Sequence, residues 1–229
     1  MAAFPTTAPH SDPILDVSYL SLRKSIGWIG ILMPWVARAV ANIRSGTPLL
    51  MSISAYYHTS GRDVFVGSLF AAGLFLSFYR GSLNSKQDRI LAVIWGIAAA
   101  FIGLIPMNPC GDPQLTCVDP NHQTYHFIPV IVFFAINIYM ALFRFTKPSR
   151  LPVTPKKQQR NKIYIVCGVV MLASVLTIAY FDQVRRSIFV PEAIAIATFG
   201  VAWLVKGQMI LTDKVSSRSA SSRAGSSSV

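Results

Sequence analysis

Six blocks of apolar residues, separated by polar stretches, dominate the pattern along the chain. Each block is long enough to cross most of a lipid bilayer as a helix, and none alternates with the two-residue period of a half-buried strand. We therefore predict six transmembrane helices, which cover residues 26–42, 64–79, 90–106, 127–143, 163–181 and 191–205.

The composition favours a membrane protein of the all-α class. Hydrophobic residues make up 52% of the 229 residues. Charged residues make up 13%, about half of the roughly 25% that is typical of soluble domains. We predict one polytopic helix bundle at residues 23–211, preceded by a disordered arm at 1–22 and followed by a disordered, Ser- and Arg-rich cytoplasmic tail at 212–229.

The basic residues fall unevenly on the two sides of the predicted helices. If the N-terminus is cytoplasmic, sixteen of the 21 Lys and Arg residues face the cytoplasm, four face outward, and Arg38 lies within the first helix. The positive-inside rule then predicts that both termini lie inside. Because the net charge of +12 is dispersed over separate loops, we expect contact with anionic lipid and no nucleic-acid partner.

The densest group of chemically reactive side chains lies between the first two predicted helices, at residues 52–63. It contains Ser54 and His58, whose spacing of four residues places both on one side of an α-helix, and it ends at Asp63. Residues 47–57 are apolar but too few to cross a bilayer, so we predict a re-entrant or interfacial helix there.

Further polar residues are predicted to reach the same outer face. His122 and His126, again four residues apart, precede the fourth helix, and Glu192, the only glutamate in the chain, begins the sixth. Three histidines and a carboxylate are typical of a zinc site with an open position for water, which the metal would activate as a nucleophile. The predicted metal ligands are His58, His126 and His122, and the predicted catalytic residues are Asp63, Glu192 and Ser54.

Four of these residues also have a structural interpretation. Asp63 is a suitable N-cap for the second helix, and Glu192 lies where the helix dipole favours an acid. His122 follows an Asp-Pro-Asn sequence that is typical of a loop, and His126 is also typical of a histidine at the membrane interface.

Two cysteines, Cys110 and Cys117, lie in the predicted outer loop between the third and fourth helices. An oxidising exterior favours a disulfide between them, whereas this spacing without a second cysteine pair is a weak zinc signature. We predict the disulfide. Cys167, within the fifth helix, is interpreted as a small apolar packing residue.

Several strings along the chain are shared with one group of proteins. They are SAYYHTSGRDVFVG at 54–67, YRG at 79–81, RNKIY at 160–164, CG at 167–168 and FGVAWLVKG at 199–207. In these strings the chain resembles a family of bacterial multi-pass membrane proteins of unknown function, from the first predicted helix to Gly207. The resemblance implies a six-span protein of the bacterial inner membrane and assigns no activity.

A more distant resemblance concerns the polar residues. Ser-x3-His, an Asp and His-x3-His together are similar to the metal-site pattern of the superfamily that joins alkaline ceramidases and adiponectin-type receptors. Carried over by residue, Ser54 and His58 match the first motif, Asp63 matches the carboxylate, and His122 with His126 matches the last motif. This resemblance implies a metal cofactor.

Two classes of function agree with these patterns. The first is a metal-dependent hydrolase that acts on a lipid or amide ligand at the outer face. The second is a non-enzymatic transporter, sensor or scaffold, in which the same polar cluster is structural or responds to protons.

Overall fold

Six α-helices form most of the chain in the computed structural model, which describes residues 13–79, 81, 85–107, 112, 113, 115, 122–147 and 154–211. A 3₁₀-helix (Ser54–His58) follows the first α-helix, and a π-helical turn (Met140–Arg144) extends the fourth. The described residues contain no β-strand, which confirms the all-α prediction. The helices are α1 (Pro13–Ser45), α2 (Arg62–Ser77), α3 (Lys86–Leu104), α4 (His122–Tyr139), α5 (Pro155–Gln183) and α6 (Phe189–Lys206).

Two helices begin earlier than the apolar pattern predicts. Residues 13–22, which we assigned to the arm, are helical and belong to α1. At the start of α5, the Thr154 side chain accepts a hydrogen bond from the Lys157 N–H at 3.2 Å, and Pro155 occupies the first turn. Residues outside the predicted apolar blocks thus extend both helices. Residues 1–12 and the predicted tail at 212–229 lie outside the described residues.

Among the described residues, five helices are long and apolar enough to cross a membrane, namely α1, α3, α4 with its π-helical turn, α5 and α6. The remaining helix, α2, has 16 residues and a length of about 24 Å, less than the roughly 30 Å of a bilayer core. The outer surface of the bundle is apolar, since Leu74, Phe78, Ile131 and Leu176 are each more than half exposed. Such a surface suits lipid rather than water.

The helices pack in a ring in chain order, and α6 closes the ring against α1. The most extensive interfaces join α2 to α3 and α1 to α6, and, when the π-helical turn is left out, the smallest joins α4 to α5. Glycines allow the close approaches: a Cβ added at Gly73 would lie 2.6 Å from the carbonyl oxygen of Gly96, and one added at Gly27 would lie 2.8 Å from that of Gly200. Outside the π-helical turn, the seam between α4 and α5 is the loosest part of the ring.

Aromatic rings fill the centre of the bundle. Trp95 lies with its ring centroid 5.7 Å from that of Trp203, 5.9 Å from Phe199 and 6.1 Å from Phe133. Both tryptophans are fully buried. This layer separates two ends of the bundle, which we call the site end, where α2, α4 and α6 begin, and the basic end, where they finish.

A buried ion pair fastens α3 to α4 at the basic end. The Arg144 guanidinium, in the π-helical turn, donates from Nε to the Asp88 carboxylate in the first turn of α3. The two side chains are 8% and 6% exposed. Arg144 Nη2 also donates to the Ser85 hydroxyl at 3.3 Å. Both charges are thus satisfied inside the protein.

Candidate functional site

The segment between α1 and α2 is folded inward at the site end. The Met51 carbonyl accepts hydrogen bonds from the N–H groups of Ile188 and Phe189, each at 2.8 Å, and the Met51 N–H donates to Asp112 Oδ2 at 2.8 Å. The predicted interfacial helix is replaced by an irregular stretch and the short 3₁₀-helix, in which Tyr56 is fully buried. The segment therefore closes the site end of the ring.

Glu192, in the first turn of α6, holds this segment in place. The Ser52 hydroxyl lies 3.0 Å from both oxygens of the Glu192 carboxylate, and the Ile53 N–H donates to Oε2 at 2.6 Å. Ser52 Oγ in turn accepts the Ser54 N–H at 3.1 Å. The carboxylate thus orders the backbone that presents Ser54.

Ser54 meets His126 in the interior. The Ser54 hydroxyl oxygen lies 3.0 Å from His126 Nε2, and His126 Nδ1 lies 2.6 Å from the carbonyl oxygen of Ile105. A carbonyl only accepts, so Nδ1 carries the proton, and burial of the ring disfavours a second proton on Nε2, whose lone pair therefore faces Ser54. The hydroxyl therefore donates to the histidine, which is the arrangement that activates a serine nucleophile.

Ser54 and His126 line a cavity of about 570 Å³ at the loose seam between α4 and α5. This volume lies within the about 300–1,000 Å³ of typical small-molecule sites. Glu192, Asp182 and Gln183 also line the cavity, and all five polar residues belong to the site end. The cavity therefore has one polar end.

The rest of the cavity wall is apolar. It continues down α4 to Ile138 and down α5 to Leu172, with Phe134 and Val175 between. Ile138 is twelve residues along α4 from His126, which corresponds to about 18 Å of helix. The shape suits an elongated apolar group whose polar end lies beside Ser54.

His58 and Asp63 do not join this group. The 3₁₀-helix has three residues per turn, so residues four apart are about 120° apart around its axis. His58 therefore faces away from Ser54, is exposed, and donates from Nε2 to the Met107 carbonyl at 2.7 Å. Asp63 is exposed in the first turn of α2 and does not line the cavity.

The described side chains do not form the predicted zinc site. No three His, Cys, Asp or Glu side chains in the described ranges lie close enough to hold a metal ion. Both ring nitrogens of His126 are already hydrogen-bonded within the protein, and His58 lies elsewhere. The side chain of His122, the first residue of α4, is outside the described part.

The predicted disulfide cannot be placed, because Cys110 and Cys117 lie outside the described residues. Cys167 is a buried free thiol within α5, as predicted for a packing residue.

Several contributors to the site were missed by sequence reasoning. Ser52 lies in the polar stretch at residues 52–63, two residues from Ser54. The sequence could therefore have indicated that Ser52 contributes to the site. Asp182 directly follows the predicted fifth helix (163–181), on the same face as Glu192. The Ile105 carbonyl has no side-chain signature, because any residue offers the same acceptor.

A ring of α-helices with an apolar outer surface and a buried serine–histidine pair defines an all-α bundle of the membrane type. No family model matches the chain, and no curated protein or solved structure resembles it significantly.

Proposed function

We propose that this protein is a membrane-embedded hydrolase that cleaves an ester or amide of a lipid, with Ser54 as nucleophile and His126 as general base. The main support is the 3.0 Å contact between Ser54 Oγ and His126 Nε2 on the wall of a large cavity. The Ile105 carbonyl fixes the ring as the third member of a catalytic triad does, although it contributes no charge.

The proposed reaction has two steps. Ser54 Oγ attacks the acyl carbonyl carbon as its proton moves to His126 Nε2, and the leaving alcohol or amine departs with that proton. Water then attacks the acyl-serine, His126 again takes and returns a proton, and the free acid leaves with Ser54 restored. Glu192 is a positioning residue, since it acts through Ser52 and Ile53.

A lipid is the favoured substrate because of the surroundings of the pair. The apolar wall runs about 18 Å along α4, and the exposed outer faces of the helices suit a bilayer. An acyl chain can enter sideways through the seam between α4 and α5, and its carbonyl then lies at the polar end. This proposal keeps the expected substrate class and replaces zinc-bound hydroxide with a serine nucleophile.

We further propose that all six helices cross the bilayer. Ser60, just before α2, hydrogen-bonds to Ser45 at the end of α1 at 2.6 Å, and Tyr79, just after α2, has its ring centroid 6.1 Å from that of Phe145, directly after the π-helical turn that extends α4. α2 therefore joins the same two ends as its neighbours, and a thinner bilayer around it accommodates its length.

The proposed orientation places the basic end in the cytoplasm and the site end outside. Sixteen of the 21 Lys and Arg residues favour this arrangement. The resemblance to bacterial multi-pass proteins supports a place in the bacterial inner membrane.

A fluorophosphonate with a long alkyl chain tests the proposal, because it reacts with activated serines and not with ordinary ones. We expect the purified full-length protein to be labelled on Ser54, as located by peptide mass spectrometry. Ser68 lines a smaller neighbouring cavity, and no histidine side chain in the described ranges is hydrogen-bonded to it, so it serves as the internal control. Equal labelling of both serines, or none on Ser54, would contradict the proposal.

A non-enzymatic function is the second candidate, and one observation favours it. The N–H groups of Ile53 and Ser54 are both already hydrogen-bonded, to Glu192 and Ser52, so neither is available to a substrate oxyanion. In this alternative the polar cluster fastens the inward-folded segment, and the cavity binds a lipid without cleaving it. Protein that retains intact lipid and does not react with the fluorophosphonate would favour this class.

A further inference from the structure

A second cavity adjoins the Ser54–His126 pair from inside the ring. It has a volume of about 60 Å³, and its described wall comes from α1, α2, α3, α4, α6 and the segment between α1 and α2. We call it the inner cavity, and we call the cavity between α4 and α5 the seam cavity. Ser54, Val130, Phe134 and Glu192 line both cavities. The proposed nucleophile therefore lies where two spaces of very different size meet.

The wall of the inner cavity is mainly apolar. Met33, Ala72 and Ile102 line it and are at most 6% exposed. Among its described wall residues, Ser68 adds the only polar side chain beyond those that the two cavities share. Because a charged or strongly hydrogen-bonding group would find few partners there, the inner cavity suits a hydrocarbon group.

The volume limits the size of that group. An apolar protein cavity of about 150 Å³ holds benzene, which has six carbon atoms. On this scale the inner cavity, with about 60 Å³, has room for roughly two or three carbon atoms. The seam cavity, with about 570 Å³, has room for a long chain. The two cavities therefore suit the two unequal sides of one substrate.

We propose that the inner cavity receives the leaving alcohol or amine of the substrate and limits it to about three carbon atoms. This inference rests on the proposed function, in which the long acyl chain occupies the seam cavity. The two substituents of an acyl carbonyl carbon diverge, so the group across the scissile bond from that chain faces the other space beside Ser54.

The substrate class that follows is a long-chain acid joined to a short, apolar alcohol or amine. Water cleaves such a substrate to the long-chain acid and the short alcohol or amine. A lipid that carries a second long chain on its alcohol part does not fit, because the inner cavity has no room for that chain.

Three fluorophosphonates test the size limit. Each carries a hexadecyl chain on phosphorus and a methoxy, ethoxy or butoxy group in the place of the leaving alcohol. Ser54 Oγ forms a bond to phosphorus, fluoride leaves, and His126 Nε2 takes the hydroxyl proton. The rate at which each probe labels Ser54 is measured on the purified full-length protein in detergent and divided by the rate of hydrolysis of that probe without protein.

We expect the methoxy and ethoxy probes to react at similar rates. The butoxy probe should react at least about 10-fold more slowly, since a methylene group that does not fit an apolar pocket costs about 10-fold or more.

Two substitutions change the inner cavity alone, because Ala72 and Met33 line it and do not line the seam cavity. Ala72→Val adds two methyl groups and should slow the ethoxy probe about 10-fold relative to the methoxy probe. Met33→Ala removes three heavy atoms and should bring the butoxy probe close to the ethoxy rate. Ala179→Val is the matched control, since it adds the same two methyl groups to the seam cavity and should keep the wild-type ratios.

The methoxy probe fits every variant and so reports whether each one is folded; if Ala72→Val does not fold, Met33→Ala decides. Equal labelling of wild-type Ser54 by all three probes would overturn the size limit and leave the nucleophile in place. Unchanged ratios in the folded variants, or the same change in Ala179→Val, would overturn it as well. No labelling of Ser54 by any probe would contradict the proposed function, and this inference with it.

Discussion

Replacement of His126 by Gln is expected to slow acylation of Ser54 by about 10²–10⁴-fold, the usual contribution of a general base. Glutamine can still hydrogen-bond to the hydroxyl, but it cannot take up the proton. The rate of fluorophosphonate labelling, followed over time in detergent, measures this effect directly.

His58→Gln is the matched control for His126→Gln. Both histidines donate one ring N–H to a backbone carbonyl, of Met107 and Ile105 respectively, but only His126 reaches Ser54. We expect the His58 variant to label at the wild-type rate. Equal slowing in both variants would mean that the histidines act on the fold and not on the serine.

Replacement of Asp88 by Asn is expected to destabilise the bundle by about 3–5 kcal/mol, because it leaves the buried Arg144 charge without its carboxylate. The pair joins the beginning of α3 to the end of α4, so the loss affects the packing of the basic end. The free energy of unfolding in detergent, from denaturant titration, measures the loss.

The double variant Asp88→Asn/Arg144→Gln separates charge burial from packing. It removes both charges and keeps groups that hydrogen-bond, so we expect it to recover most of the lost stability. Lys86→Gln, which removes an exposed charge from the same turn of α3, should change stability little. If the double variant were as unstable as Asp88→Asn alone, an unpaired charge would not be the cause.

The apolar pattern predicted the helices well because a bilayer demands long apolar segments. The predicted segment 191–205 lies inside α6 (Phe189–Lys206), and 127–143 lies within α4 and its π-helical turn. The pattern failed where a helix continues beyond a continuous apolar block. Residues 13–22 of α1 are the main case, since Asp16, Ser18 and Ser21 interrupt their apolar residues.

The site was predicted in part, by topology rather than by local spacing. Alternating helices placed Ser54, His126 and Glu192 at one end, and the structure brings these three to one cavity. The four-residue spacing of Ser54 and His58 misled us, because it assumed an α-helix where the chain forms a 3₁₀-helix. The hydrogen bonds of His126 could not be foreseen, since local spacing reveals neither a contact with a serine 72 residues away nor one with a backbone carbonyl.

The measurement that most directly tests the account is hydrolysis of a long-chain acyl ester by the purified full-length protein and its Ser54→Ala variant. We predict release of the free acid by wild type, an acyl group on Ser54 when the reaction is stopped early, and loss of both in the variant. Ser68→Ala should behave as wild type. Hydrolysis that persists in Ser54→Ala, or wild type that binds the ester without cleaving it, would contradict the proposed function.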